Sequence, residues 1–578
     1  MRSTLLSLFI LSGLLLGSCG DTETPTEDLV AKGGKQYGGD FKFMSPEKIK
    51  ILFPTHTADL YSSRLISQLY EPLMVFDVTE MEVVPGVAES FEKSADSKVY
   101  TFKIRKGIKF HKDDCFGGDG DELTADDVKF TFDLACSALE ENQIGYLLKN
   151  KIVGADAYYK KSTKSIPKGG ISGITVSGNE VKFTLAGPSP GFERILTNPS
   201  LGIVSKTAYE HYGTTKVNTH PVGTGPFMLE SMEDSKIVLK RHDSYWRKDE
   251  FGNQLPFLSQ VIMTCSKDKR SEFLAFRKEE IDLVLEIPVE EIDHILGSLE
   301  DAQNGKNVKH KVDGQPSLSM TYIAMACESD EFSDVKVRKA FNVAIDRETI
   351  IEKWLEGEGS AALNGFVPVM AGYDNEAVHG HVFNADRAKA LMSQAGYPNG
   401  ANFPTLDFYV NAKEGSGIHK MCQAIVKQLK ESINVNLNIK LCTIAEREKA
   451  IVDGKAKIWR SGWIADYPGP ENFLGLFYSG NLESSSMVNS FKFSNADFDK
   501  AFEAASSEGD LAKRAGYLVK CDQIVIDQAA TMPVLTGAHI VMINARVRNF
   551  AASPMESLNL TGVFIKEQKK NQPQQEGQ

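Results

Sequence analysis

The sequence predicts an α/β protein of two lobes with a cleft between them. Two patterns point there. Before about residue 325, several segments alternate apolar and polar residues with period two, as half-buried strands do. After residue 335, apolar residues recur at helical spacing, and helices then alternate with strands, which implies crossovers. A last apolar stretch, Pro533-Val534-Leu535, can return to the first lobe. Two lobes around a cleft make a binding architecture.

The 578 residues give room for three or four domains or lobes of about 150 residues each. Apolar residues are 42% and charged residues 25%, an ordinary soluble composition that excludes a disordered, collagenous or polytopic membrane chain. The net charge of −12 disfavours general binding to phosphate backbones. Among the eight cysteines there is no C-x-x-C, which argues against a zinc ribbon or thioredoxin-type site.

The chain begins with Arg2 and an apolar run over residues 5–16, too short to span a bilayer. Leu16-Gly17-Ser18-Cys19 follows and resembles the lipobox of bacterial lipoproteins. That resemblance implies a signal peptide over 1–19, lipid attachment at Cys19, and an exported protein tethered to the cell envelope. The plainer alternative is a secretory signal with an incidental cysteine. Residues 20–37 have the composition of a flexible linker, and 569–578 that of a disordered tail. Seven cysteines remain after Cys19. Cys422 and Cys442 are the pair a helix and a returning strand can bring together, with buried thiols as the alternative.

Along the chain, residues 99–110 place Tyr100, Phe102 and Ile104 on one strand face. Residues 174–185 read as a hairpin turning at Gly178-Asn179, and 227–239 as another around Glu233-Asp234-Ser235. Thr124 is positioned to cap a helix from Ala125 to about Leu139, with Asp126 and Asp127 in its first turn. Val337, Ala340, Phe341, Ala344 and Ile345 form the apolar stripe of a helix, and Asp346 caps the next, through Leu355. Then come a helix (385–395), a strand (406–410), a helix (417–431), a strand (435–442), a helix (446–452) and a strand (457–463).

Most candidate chemistry fails on spacing. Gly223-Thr224-Gly225-Pro226 does not complete a dinucleotide fingerprint and reads as a tight turn. No P-loop, H-E-x-x-H or G-x-S-x-G occurs. His56, His111 and His220 lie near turns. The acidic stretch from Asp113 to Asp127 lacks EF-hand spacing and reads as a solvated loop with a helix cap. No catalytic residue, metal or cofactor is expected.

One cluster differs: Arg460-Ser461-Gly462-Trp463-Ile464-Ala465-Asp466-Tyr467-Pro468, at the end of the last strand of the alternating series. Open α/β sheets bind ligands beyond the carboxyl ends of their strands. A carboxylate for an ammonium, an arginine for a carboxylate and a glycine for close backbone approach suit a zwitterion. The structural alternative is a core Trp and an Asp capping a helix near Glu471.

This cluster and five others resemble solute-binding protein family 5, the extracytoplasmic oligopeptide- and dipeptide-binding lipoproteins of ABC importers. The others are Leu69-Tyr70-Glu71-Pro72-Leu73 with Val84-Pro85-Gly86-Val87; Tyr100-Thr101-Phe102-Lys103-Ile104-Arg105 through His111 and Leu123-Thr124-Ala125-Asp126-Asp127-Val128; Pro221 to Phe227 with Tyr245-Trp246; Val337-Arg338-Lys339-Ala340-Phe341 with Asp346-Arg347; and Ala395-Gly396-Tyr397. The similarity spans residues 48–546 in the family's order.

It implies a periplasmic-binding-protein type II fold (cluster C), with an extra subdomain on lobe I and no catalysis. The implied parts are lobe I over 38–71, 223–325 and 530–568, the subdomain over 72–222, and lobe II over 326–529. Hinges are expected at 322–327 and 529–533. The family's W-x-A-D-Y aspartate pairs with a peptide ammonium and falls on Asp466. Trp463 is the matching aromatic, and Arg460 stands where some members bind the peptide carboxylate. Gly462 and Tyr467 complete the expected ligand-binding set, with Asp59 lent by lobe I. The implied partners are a peptide, ABC permease subunits and a membrane, for a monomer; an oligosaccharide, metal chelate, haem or amine is the alternative solute. Two departures, Pro468-Gly469 after the motif and Lys112-Asp113-Asp114 after His111, leave ligand length and side-chain preference open.

Overall fold

The computed structural model describes residues 30–57, 59–80, 82–285, 310–355, 357–370, 372–482 and 487–566. The signal segment 1–19 with Cys19, linker residues 20–29 and the tail 569–578 lie outside them.

Two large sheets carry the architecture. The seven-stranded sheet of the first lobe runs His310–Pro316, Ala538–Asn544, Leu283–Val284, Asp40–Ser45, Gln260–Cys265, Lys236–Arg241 and Phe227–Glu233. Asp40–Ser45 pairs parallel with both its neighbours, and the other pairings are antiparallel. The six-stranded sheet of the second lobe runs Ser360–Ala361, Thr531–Thr536, Ser319–Met325, Ile458–Ile464, Leu406–Val410 and Leu437–Leu441. There Leu406–Val410 pairs parallel with both its neighbours through helical crossovers. A separate four-stranded antiparallel sheet, Ala88–Lys93, Val99–Ile104, Glu180–Thr184 and Ile174–Ser177, holds its own core with helix Ala125–Ala135. Its hairpin turns at Gly178-Asn179 as the alternation predicts, with Gly178 at φ +60°.

The lobe boundaries differ from those expected. Strands Ser319–Met325 and Thr531–Thr536 belong to the second sheet, so the expected hinges at 322–327 and 529–533 fall largely inside its ladder. Among the described residues, the chain passes between the large sheets at two places only, Pro316 to Ser319 and Thr536 to Ala538. The two crossings are strapped together by Ser317 N–H donating to the Gly537 carbonyl at 3.0 Å. The displacement has a physical cause: Ser319–Met325 is largely buried and pairs on both edges, so it cannot bend without losing ladder bonds.

Residues 30–37, expected in the linker, are docked instead. Lys35 pairs with Asp249 at 3.0 Å and Glu250 at 2.8 Å, and Tyr37 donates to the Gln254 carbonyl at 2.8 Å. Ala31 joins a small apolar cluster with Tyr245, Leu255 and Phe257. The cap of the helix expected at 446 is Thr443, which forms a capping box with Glu446 and starts the helix Ile444–Val452. Cys422 and Cys442 are both free thiols. They face different cores, Cys422 buried under helix Gly417–Ile433 and Cys442 toward the cleft side.

The family-like motifs do structural work in the first lobe and subdomain. Glu71 is buried and accepts from Tyr245 Oη at 2.7 Å, Trp246 Nε1 at 2.9 Å and Thr224 Oγ1 at 3.1 Å. A Cβ on Gly223 would lie 2.0 Å from the Leu69 carbonyl oxygen, so only glycine fits there. His111 clamps the same turn: its Nδ1 accepts from Gly223 N–H at 3.2 Å, and its Nε2 donates to the Gly225 carbonyl at 3.1 Å. Burial pushes this imidazole down to about 3, which keeps it neutral.

In the second lobe, Arg347 ties the helix Arg347–Trp354 to the crossing strand Thr531–Thr536. Its Nε donates to the Pro533 carbonyl at 2.6 Å, and its Nη atoms reach Asn342 O at 3.1 Å and Asn342 Oδ1 at 3.2 Å. Arg347→Met leaves these acceptors buried without donors. It is expected to destabilise the protein by about 3 kcal/mol in denaturant unfolding, whereas Arg347→Lys should recover part of the loss.

Candidate functional site

A cleft of about 2820 Å³ lies between the two sheets and is lined by both lobes and the subdomain. The strand Ile458–Ile464 supplies its central wall. Its side chains alternate. Trp459 and Trp463 pack toward the core containing Phe473 and Leu474, while Ile458 faces the core under helix Gly417–Ile433. Arg460 follows Ile458 on that face and lines the cleft. Gly462 comes next on that face and is exposed. A Cβ there would stand 3.4 Å from Arg460 Nη2, so the glycine leaves the guanidinium room.

Just past the strand, one buried amide organises the motif. Asn472, on the short helix Pro470–Leu474, accepts from Trp463 Nε1 at 2.8 Å and from Asp466 N–H at 3.1 Å. Its Nδ2 donates to Asp466 Oδ2 at 3.3 Å. The same oxygen accepts from Tyr146 Oη, in the subdomain, at 2.9 Å. Among the described residues no hydrogen bond reaches Asp466 Oδ1. Asp466 is half-buried on the cleft wall and does not cap the helix: Gly469 is the N-cap, with no side-chain capping bond. Burial raises its pKa above the ordinary 3.8, against the two hydrogen bonds that favour the charged form.

Arg460 is half-buried, and among the described residues its guanidinium makes neither a hydrogen bond nor an ion pair; its Nε is fully enclosed without a partner. Burial lowers its pKa, and the like charge of Arg447 works in the same direction. Arg447, in the first turn of helix Ile444–Val452, lines the same cleft. Its Nη1 donates to Asn411 Oδ1 at 2.7 Å and to the Arg460 carbonyl at 3.1 Å.

Two expected site residues do not offer the cleft a free group. Tyr467 does not line the cleft. It is 4% exposed and packs in the subdomain core that includes Ile144 and Leu147, because the strand has ended and the turn sends its ring across the interface. Asp59 is at the cleft but committed to its own helix. Its Oδ1 accepts from Ser62 N–H at 2.8 Å as N-cap of Leu60–Leu69, and its Oδ2 accepts from Thr57 Oγ1 at 2.5 Å. Sequence reasoning missed Tyr146, Asn472, Asn411 and Arg447. Of these only Asn472 carried a local signal, lying six residues after Asp466.

Among the described residues no helix is long and apolar enough to cross a membrane. The family model for bacterial extracellular solute-binding proteins, family 5 Middle, matches residues 82–484. The chain is 28% identical to heme-binding protein A of Haemophilus influenzae over 515 residues, covering 86% of this chain and 87% of the relative. It is 27% identical to the dipeptide-binding protein of Escherichia coli K12 over 502 residues, covering 86% and 89%. Among solved structures, the periplasmic binding protein DppA of Helicobacter pylori in complex with the peptide STSA superposes with a TM-score of 0.77 at 23% identity, covering 92% of this chain and 99% of that one. With a family match over most of its length and a shared two-lobed architecture, the chain belongs to the bacterial extracellular solute-binding proteins of family 5.

Proposed function

We propose that this protein is an extracytoplasmic receptor that captures peptides by closure of its two lobes and delivers them to an ABC permease, held at the membrane by lipid on Cys19. The observation that carries the peptide reading is the pairing of opposite charges on one cleft wall. Asp466 keeps one carboxylate oxygen without a hydrogen bond among the described residues, and Arg460 keeps its whole guanidinium so. A free peptide supplies both complements, an ammonium and a carboxylate. Trp463, braced by Asn472, offers a flat apolar face beside them. The relative named dipeptide-binding protein and the neighbour solved with the peptide STSA support the same reading. Closure bends the chain at Ser317-Leu318 and Gly537, where no strand ladder has to break. No bond-making step belongs to this role.

The relative named heme-binding protein A favours a second reading, a large non-peptide solute in the same cleft. The two readings part on the ammonium. For peptides, Asp466→Ala is expected to cost about 3–5 kcal/mol, since it leaves a desolvated cation unpaired. That is roughly two to three and a half decades in Kd by calorimetric titration. N-terminal acetylation of the peptide should weaken binding to the wild type comparably and leave the variant nearly indifferent. Equal binding of free and acetylated peptides sinks the peptide reading.

The raised pKa of Asp466 fixes the sign of a pH effect. The ammonium binds the carboxylate form, so protonation competes with it. Peptide affinity should therefore rise with pH up to the raised pKa and level off above it, with a proton released on binding below that point. Asp466→Asn is expected to flatten this rise; the same slope in the variant would assign the titration to another group.

A further inference from the structure

Two arginines of the second lobe lie close together on the cleft wall. Arg447 and Arg460 both line it, and among the described residues neither pairs with a carboxylate. Glu448, the next residue on the helix and also at the cleft, acts on Arg447 as a nearby opposite charge, though among the described residues it forms no ion pair with either arginine. Each guanidinium has an enclosed Nε without a partner. Arg447 is held in place by two acceptors on one nitrogen, Asn411 Oδ1 at 2.7 Å and Arg460 O at 3.1 Å. Among the described residues its Nη2 has no hydrogen bond. The head group is thus fixed in direction with its remaining donors free, the preorganisation that an oriented carboxylate contact needs. The helix N-terminus beneath it, capped by Thr443, adds positive potential of the same sign.

Two like charges kept half-buried side by side oppose each other until an anion arrives, and one carboxylate on Arg460 neutralises only one of them. We propose that Arg447 is a specificity-determining residue that takes a side-chain carboxylate of the ligand, so that the preferred solutes are short peptides with free termini and an acidic residue. This rests on the peptide reading above. Two rival roles have different consequences. If Arg447 only braces the strand end through the Arg460 carbonyl, its loss disturbs every ligand alike. If both arginines grip the terminal carboxylate, acidic and neutral peptides suffer equally.

The test is calorimetric titration of free-terminus alanine peptides of two to five residues, with Glu or Gln placed at each position in turn. It uses the wild type, Arg447→Gln and Arg447→Lys, with thermal unfolding as the folding control. In the wild type, Glu is expected to bind at least about tenfold tighter than Gln at one position, the size of a charge-assisted pair. That preference should vanish in Arg447→Gln, with acidic peptides losing at least about tenfold more affinity than neutral ones, and persist in part in Arg447→Lys. Equal binding of Glu and Gln at every position overturns the proposal. So does a preference that survives in Arg447→Gln, or a uniform loss across acidic and neutral peptides. A wild type that binds neutral peptides without acid preference removes the role of Arg447 alone; one that binds no peptide at all removes the peptide reading as well.

Discussion

The hydrogen bond from Tyr146 to Asp466 joins two parts of the protein at the point where the candidate chemistry sits. The tyrosine belongs to the subdomain and the aspartate to the second lobe, 320 residues further along the chain. Both its donors arrive at one carboxylate oxygen, and the withdrawal from water that raises the aspartate's pKa also strengthens any cation contact at the other. Asn472 then locks this carboxylate to the indole of Trp463 with a single amide. The aromatic face and the negative charge are therefore one unit, and loosening either loosens both.

Around this unit the framework is rigid in most places and compliant in few. The two sheets are joined by short crossings, and the Ser317–Gly537 bond makes those crossings move together. The subdomain is not an independent ornament, since Tyr467 of the second lobe is buried in its core. The hairpin formed by Met74–Asp77 and Glu82–Pro85 contributes Phe76 to the second lobe's core in return. A motion of the lobes must carry these contacts with it or break them, so the subdomain interface sets part of the energy of opening.

How much of this the sequence disclosed follows from how local each signal is. Trp463, Arg460 and Asp466 sit within seven residues at a strand end, and that placement is readable from alternation and composition. Tyr467 belongs to the motif, but the strand stops at Ile464 and the turn after it buries this ring in the subdomain core, which a motif match does not disclose. Asp59, expected to contact the ligand from the first lobe, reaches the cleft but has its carboxylate engaged as the N-cap of Leu60–Leu69. The expected hinges fell inside the second-lobe strands Ser319–Met325 and Thr531–Thr536, the first past its crossing and the second short of it, because strand ends are set by the ladder and not by the local sequence. Tyr146 and Asn411 come from distant loops, and Arg447 looks like any charge on a solvated helix. Their roles exist only once the fold brings them together.

The distribution of paired and unpaired charge gives the two walls of the cleft different tasks. On the first lobe, Arg247 pairs with Glu71 at 3.3 Å and Arg64 approaches Glu556 at 3.8 Å, so each of these arginines has a carboxylate beside it, while Lys50, Lys267 and Arg270 also line the cleft. On the second lobe, Arg460, Arg447 and one oxygen of Asp466 are not answered among the described residues. In the peptide reading proposed above, a zwitterionic solute finds complements for both its charges on the second lobe and can be held there before the first lobe arrives. Closing then removes water from contacts already made and raises their strength as the local dielectric falls. Solutes that lack the matching charges gain little from that step, so discrimination grows with closure instead of being settled at first contact.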